Sequence, residues 1–246
     1  MTCYLALTPG AADGAKPRGV TPVHMAYALS ERGALARSAR PSGGLMGLSD
    51  RGRAALPDRA ALVRAIVREC AAQGFRGVLA DLDEAAPPDR RPFLSALAEA
   101  LAQSGRTLYV PMALAVPHAR ALAGTAVSGG SLHEHLRALV RAHGAQRLAL
   151  DVQRLRMDFP VPSFSAEGRP LTAAELDERC ARGGAVFYSH ALGARYFTYR
   201  DGTQTHFVVF DDADTLRAKL SLGESLGIRE AFFMLPEVSD LLGSLF

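Results

Sequence analysis

The feature that most constrains this chain is a rhythm in which short apolar runs alternate with amphipathic segments about every 25 residues. Leu62, Val63, Ile66, Val67 and Cys70 fall on one helical face, Gln73-Gly74 stops that helix, and residues 75–81 follow as a strand with an apolar interior and an acidic end. The unit then recurs. Phe93, Leu94, Leu97 and Leu101 predict a helix capped by Asp89 and ended at Ser104-Gly105, with strands over 107–116 and 119–127. Ser131 to Glu134 reads as a capping box for the helix of Leu136, Leu139 and Val140, ahead of a strand-like stretch over 147–159. Leu216, Leu220 and Leu226 predict a last helix before residues 230–235, whereas the Gly/Pro-rich residues 9–19 carry no helical period. Strands near positions 3, 22, 45, 78, 108, 121, 149 and 231 number eight. That alternation predicts an α/β fold, a closed (β/α)8 TIM barrel spanning residues 1–246 as a single domain. An open doubly wound sheet fits less well, since no GxGxxG turn follows the first strand.

The rhythm breaks between residues 160 and 209. Thr172 to Glu175 opens a short helix with a second capping box, and alternating aromatics flank Asp201-Gly202, a strong hairpin signal. A helix-plus-hairpin insertion over 160–209 is expected before the last unit.

With 48% hydrophobic and 22% charged residues, a chain of 246 residues builds a sizeable core without staples. The 28 basic residues exceed the 25 acidic ones by only three and are spread along the chain, which offers no footprint for nucleic acid. Cys3, Cys70 and Cys180 form no CxxC or zinc-type spacing, and no cofactor motif occurs, so neither metal nor cofactor is expected. No apolar run approaches the roughly 18 residues of a membrane span, and the N-terminal residues lack a basic leader region. The expectation is a cytoplasmic protein with no membrane contact, association with the cell wall or spore being the alternative.

In a parallel barrel the chemistry sits where strands end, which singles out Asp81 and Asp83. At i, i+2 in a strand both carboxylates share one face, and like charges that close hold one of them protonated as a general acid. The alternative is that they cap the next turn or pair with Arg76 or Arg90. Arg156 and Asp158 share a face farther along and either line the pocket or pair with each other.

Residues 75–83, Phe-Arg-Gly-Val-Leu-Ala-Asp-Leu-Asp, resemble the fourth-strand signature of family 18 glycoside hydrolases, F-D-G-x-D-x-D-x-E. Phe75, Gly77 and Asp81 match, while Arg76 and Leu79 replace aspartates and Asp83 stands at the catalytic glutamate. Tyr196-Phe-Thr-Tyr-Arg-Asp-Gly202, His206 to Ala213, Leu216 to Leu220 and Leu226-Gly-Ile228 are similar, in order and spacing, to the insertion and following unit of that family's spore-cortex-lytic branch. The resemblance implies a chitinase-like barrel whose partner is an N-acetylglucosamine-containing glycan. It implies substrate-assisted retaining hydrolysis, with Asp83 as the acid and Asp81 orienting the acetamido group. It also marks departures. Met234 takes the place of the tryptophan under the sugar, the chain has no tryptophan, and no Tyr-Asp pair ends the sixth strand, where Ser128 is the candidate contact. Tyr27, near the end of the second strand, is a candidate sugar contact or a core tyrosine with a satisfied hydroxyl. Two functions follow from the resemblance: a glycosidase, or a catalytically inactive glycan-binding barrel.

Overall fold

In a parallel barrel each strand is covered on both faces, so its residues alternate between the barrel interior and the helix layer. The computed structural model, which describes residues 1–8, 17–50, 56–83, 88–162 and 168–246, shows this alternation from the first strand. In β1 (Thr2–Leu7) the side chains of Leu5 and Leu7 pack outward, while Tyr4 and Ala6 point inward. The strand is followed by β2 (Val20–Leu29), a short β3 (Leu35–Arg37), β4 (Leu45–Asp50), α1 (Arg59–Gln73) and β5 (Gly77–Asp81). Next come α2 (Arg90–Gln103), β6 (Thr107–Pro111), β7 (Ala119–Gly124), α3 (Leu132–His143) and β8 (Leu148–Asp151). Of the Gly/Pro-rich stretch, residues 9–16 lie outside the described residues.

The last barrel strand is β14 (Glu230–Met234), and β1 pairs in parallel with both β14 and β2. These two pairings close a parallel barrel of β1, β2, β4, β5, β6, β7, β8 and β14. All eight strand positions expected from the sequence fall in it. The extra β3 folds back antiparallel on β2. Helix α1 begins where the Asp58 carboxylate accepts the Ala61 amide at 2.8 Å and ends at Gly74, whose φ of 68° suits glycine. Asp89 does not cap α2 with its side chain: it instead accepts the Leu56 amide at 2.8 Å, a distant partner that local sequence does not announce.

The stretch 147–159, expected as one strand, is two strands in two sheets. The barrel strand β8 ends at Asp151, and β9 (Arg156–Val161) starts a five-stranded antiparallel sheet with β10 (Arg169–Pro170), β11 (Phe187–Ser189), β12 (Ala194–Asp201) and β13 (Gln204–Phe210). The inserted sheet therefore begins four residues earlier than expected, because apolar runs on both sides of 152–155 hide the change of sheet. Its helix, α4 (Ala173–Arg182), carries the expected capping box between Thr172 and Glu175, and β12 turns into β13 through Gly202 at φ 58°.

One buried ion pair fastens this sheet to the barrel. Lys219, on α5 (Ala213–Ser225), donates to Asp211 Oδ2 at 2.7 Å with both side chains fully buried, and the same carboxylate accepts the Leu155 amide and the Thr215 hydroxyl, each at 2.8 Å. Replacing one partner leaves an uncompensated buried charge. The Lys219→Met variant is expected to lose about 3 kcal/mol or more of unfolding free energy in chemical denaturation.

Candidate functional site

The alternation that builds the barrel also builds its mouth. Leu79, Ala149 and Phe232 point inward in the core, so two residues later Asp81, Asp151 and Met234 point inward at the C-terminal rim. By the same count Gly124 stands above Leu122 and Pro111 above Tyr109. Together they frame a cleft of about 430 Å³ lined by Leu79, Asp81, Met112, Asp151, Gln153, Phe232, Met234 and Glu237, among others. Below it, Tyr4 stacks on Phe232 with ring centroids 4.6 Å apart, and Tyr109 meets the same ring edge-on at 4.7 Å. The Tyr109 hydroxyl donates to Glu230 Oε1 at 2.9 Å, and Arg120 pairs with the other oxygen of Glu230 at the barrel's far end.

Three carboxylates share the mouth. Asp151 accepts the Gln153 amide at 2.8 Å. Glu237, on the short α6 (Leu235–Val238), accepts the Arg154 backbone N–H at 3.1 Å. Asp81 keeps one side open to solvent while the rim crowds the other, and that desolvation raises its carboxyl above the usual range. Burial pushes Asp151 further, up to about 6, with the charges of Glu237 and Asp81 adding to the shift and the Gln153 hydrogen bond opposing it. A carboxyl that titrates this near neutrality can both donate and accept a proton. Among the described residues no group of three or more His, Cys, Asp or Glu is arranged to hold a metal ion.

The sequence-derived candidates divide. Asp81 and Met234 line the cleft. Asp83 is exposed, lies two residues beyond the end of β5, and is not among the lining residues, so the shared strand face expected for the two aspartates is interrupted where the strand stops. Tyr27 is buried in the layer beneath α1, its hydroxyl donating to Glu69 at 2.9 Å. The cause is a bulge: the β2–β4 register shifts between His24 and Tyr27, which turns Tyr27 outward although Val23 and Met25 point in. Gly47 sits opposite the bulge, where a Cβ would overlap the Met25 sulfur. Ser128 is exposed in a bend and does not line the cleft.

Asp158 is corrected most fully. It belongs to the inserted sheet, buried, accepting the Tyr199 hydroxyl at 2.7 Å and lying 2.8 Å from His206 Nδ1, with Arg179 at 3.8 Å. Its burial and hydrogen bond push the Tyr199 hydroxyl up to about 12. Asp151, Gln153 and Glu237 were missed. Asp151 carried the same signal as Asp81, an acid ending an apolar run, but the misjudged strand over 147–159 placed that end elsewhere. Glu237 gave no local signal.

No protein-family model matches the chain, and no curated protein matches it. Solved structures do. A chitinase from Chromobacterium violaceum superposes with a TM-score of 0.68 at 16% identity, covering 100% of this chain and 98% of that one. The spore cortex-lytic enzyme SleL of Bacillus megaterium gives 0.67 at 16% identity, over 100% of this chain and 74% of that one. A family 18 chitinase from Cycas revoluta, solved with (GlcNAc)4, gives 0.64 at 11% identity, over 100% and 97%. The fold is that of the family 18 glycoside hydrolases. In this family 18-like barrel the fourth strand is β5, so the signature-like residues 75–83 run into the mouth as far as Asp81 and leave it at Asp83.

The Asp151 carboxyl gives a stability test with a defined sign. Its folded value of about 6 lies above the ordinary 3.8, so the native state holds the proton more tightly. That contribution is complete below about pH 4 and is lost as pH rises through about 6. Asp151→Asn is expected to raise the calorimetric melting temperature near neutral pH and to leave it unchanged near pH 4.

Proposed function

We propose that this protein binds an N-acetylglucosamine-containing glycan in the barrel mouth, as a family 18-like barrel in which the hydrolytic machinery of the fourth strand is incomplete. The observation that carries the reading is the position of Asp81 on the rim of a cleft floored by Leu79, Phe232 and Met234. A carboxylate at the edge of an apolar floor suits a 2-acetamido sugar, accepting the amide N–H while the floor takes the methyl group and the ring's apolar face. Met234 fills the floor with a flexible thioether where the family has a flat indole, which weakens stacking. The neighbours support the same ligand class, since the Cycas revoluta chitinase was solved with bound (GlcNAc)4.

The incompleteness is chemical. In substrate-assisted hydrolysis the acetamido oxygen attacks the anomeric carbon while a carboxylic acid protonates the departing oxygen. The resemblance assigns that acid to Asp83, one methylene shorter than the family's glutamate and outside the lining of the cleft. The position two turns of the pattern earlier is Leu79, 4% exposed, so no carboxylate stands there to pass a proton along the strand.

A second reading, slow hydrolysis, is favoured by one observation: Asp151, with a carboxyl at about 6, lies inside the cleft. In that case Asp151 supplies the proton and Asp81 orients the acetamido group.

Calorimetry with chitotetraose is expected to show binding that Asp81→Asn weakens by about tenfold, the scale of a hydrogen bond to a charged group. Absence of binding by the wild-type chain overturns the glycan reading. Reducing-end release from the same oligomer separates the two forms of it. Asp83→Glu is expected to change the rate by less than about threefold, and any basal rate is expected to vanish in Asp151→Asn. A gain of about tenfold or more from Asp83→Glu would instead restore the acid to the fourth strand.

A further inference from the structure

Arginines that are scattered in the sequence are gathered at one end of the barrel. Arg76, Arg106, Arg147 and Arg229 each stand immediately before a barrel strand, namely β5, β6, β8 and β14. Arg18 lies two residues before β2, and His118 immediately precedes β7. Because all these strands are parallel, the positions share the N-terminal face, opposite the acidic mouth. Two carboxylates nearby are already committed: Glu230 pairs with Arg120, and Glu224 takes the terminal ammonium of Met1 at 2.5 Å.

Arg106 and Arg147 are held without being neutralised. Arg106 donates to the carbonyls of Phe75 at 3.0 Å and Ser104 at 3.3 Å, and Arg147 donates to the carbonyl of Val116 at 3.1 Å. Carbonyls fix a guanidinium in place and leave its full charge and its remaining N–H groups available. Between the two arginines lies a cleft of about 470 Å³ whose other polar lining residues are Thr107, His118, Arg120 and Gln146. His118 is exposed and is the only described non-glycine residue with positive φ, at 61°. Such backbone strain persists where surrounding structure enforces it, and here it places the imidazole at the cleft.

We propose that this cleft is an anion site for a phosphorylated ligand, with Arg106 and Arg147 as paired guanidinium forks and His118 as a third donor. Planar forks on fixed stems match phosphate oxygens two at a time, and two forks with a third donor suit a diphosphate better than a single carboxylate. The bonds to backbone carbonyls of the segments between elements explain the arginines' orientation but not the convergence of uncancelled charge. The site is independent of the glycan reading, since it lies at the other end of the barrel.

Titration calorimetry with inorganic pyrophosphate at low ionic strength tests it. The Arg106→Gln/Arg147→Gln variant is expected to weaken binding by about tenfold or more, while Arg59→Gln/Arg64→Gln, an equal charge change on exposed α1 positions, stays within about twofold. His118→Gly keeps the fold available, because glycine accepts positive φ without strain, and is expected to weaken binding about threefold even if the arginine variant is unstable. Long-chain polyphosphate identifies the source. A gain of about tenfold over pyrophosphate that Arg76→Gln/Arg229→Gln removes assigns a phosphate chain running along the face, and equal affinities assign a small phosphorylated molecule. Failure of both probes to bind, equal weakening by the control variant, or unchanged binding by folded His118→Gly and arginine variants overturns the proposal.

Discussion

Lys219 and Asp211 meet at 2.7 Å at the point where the inserted sheet hands the chain back to the barrel. An isolated charge in that position costs several kcal/mol, so the pair is tolerable only because every oxygen of the carboxylate has a donor. Those donors come from three places: the Leu155 amide at the entrance to the inserted sheet, the Thr215 hydroxyl in the first turn of α5, and the Lys219 ammonium one turn on. A single carboxylate thereby holds the entrance, the exit and the supporting helix together. This gives a physical meaning to the spacing of Asp211, Asp212 and Lys219 that resembles the family pattern. Asp212 caps α5 through Thr215, Asp211 turns inward, and Lys219 reaches back from the buried face of the same helix.

With the insertion so fixed, the barrel has two chemically different ends. The C-terminal end is acidic because Asp81, Asp151 and Glu237 surround one cleft; burial raises the proton affinity of the first two, and the neighbouring charges raise that of Asp151 further. The N-terminal end is basic because a repeated unit places an arginine at the same structural step several times over. Between them, Tyr4, Tyr109 and Phe232 pack in the barrel interior, so a layer of aromatic rings separates the two ends.

Much of the fold was legible locally. The eight strand positions follow from apolar runs and helix stops, and the Thr172 capping box and the Gly202 hairpin form as read. The errors share a cause. Tyr27 takes its alternative reading, a core tyrosine with a satisfied hydroxyl, and not the sugar contact, because a bulge inserts one extra residue and an alternation rule loses its phase across a bulge that leaves no mark in composition. Asp158 was assigned to the mouth because the chain changes sheets over 152–155 without leaving the β pattern. Asp83 was paired with Asp81 on the premise that the strand continues, and it ends two residues before Asp83.

The sequence by itself determined the class of fold, the number of barrel strands and the rim position of Asp81, because each depends on periodicity within one unit. It also carried the departures at Leu79, Asp83 and Met234, which are matters of residue identity. Only the tertiary structure decided which acids share the mouth, since Asp81, Asp151 and Glu237 come from three distant segments and meet through barrel closure. The same holds for the arginines. Spread over the chain they predict nothing, and winding the strands into a parallel barrel brings their repeated position onto one face, where like charges add.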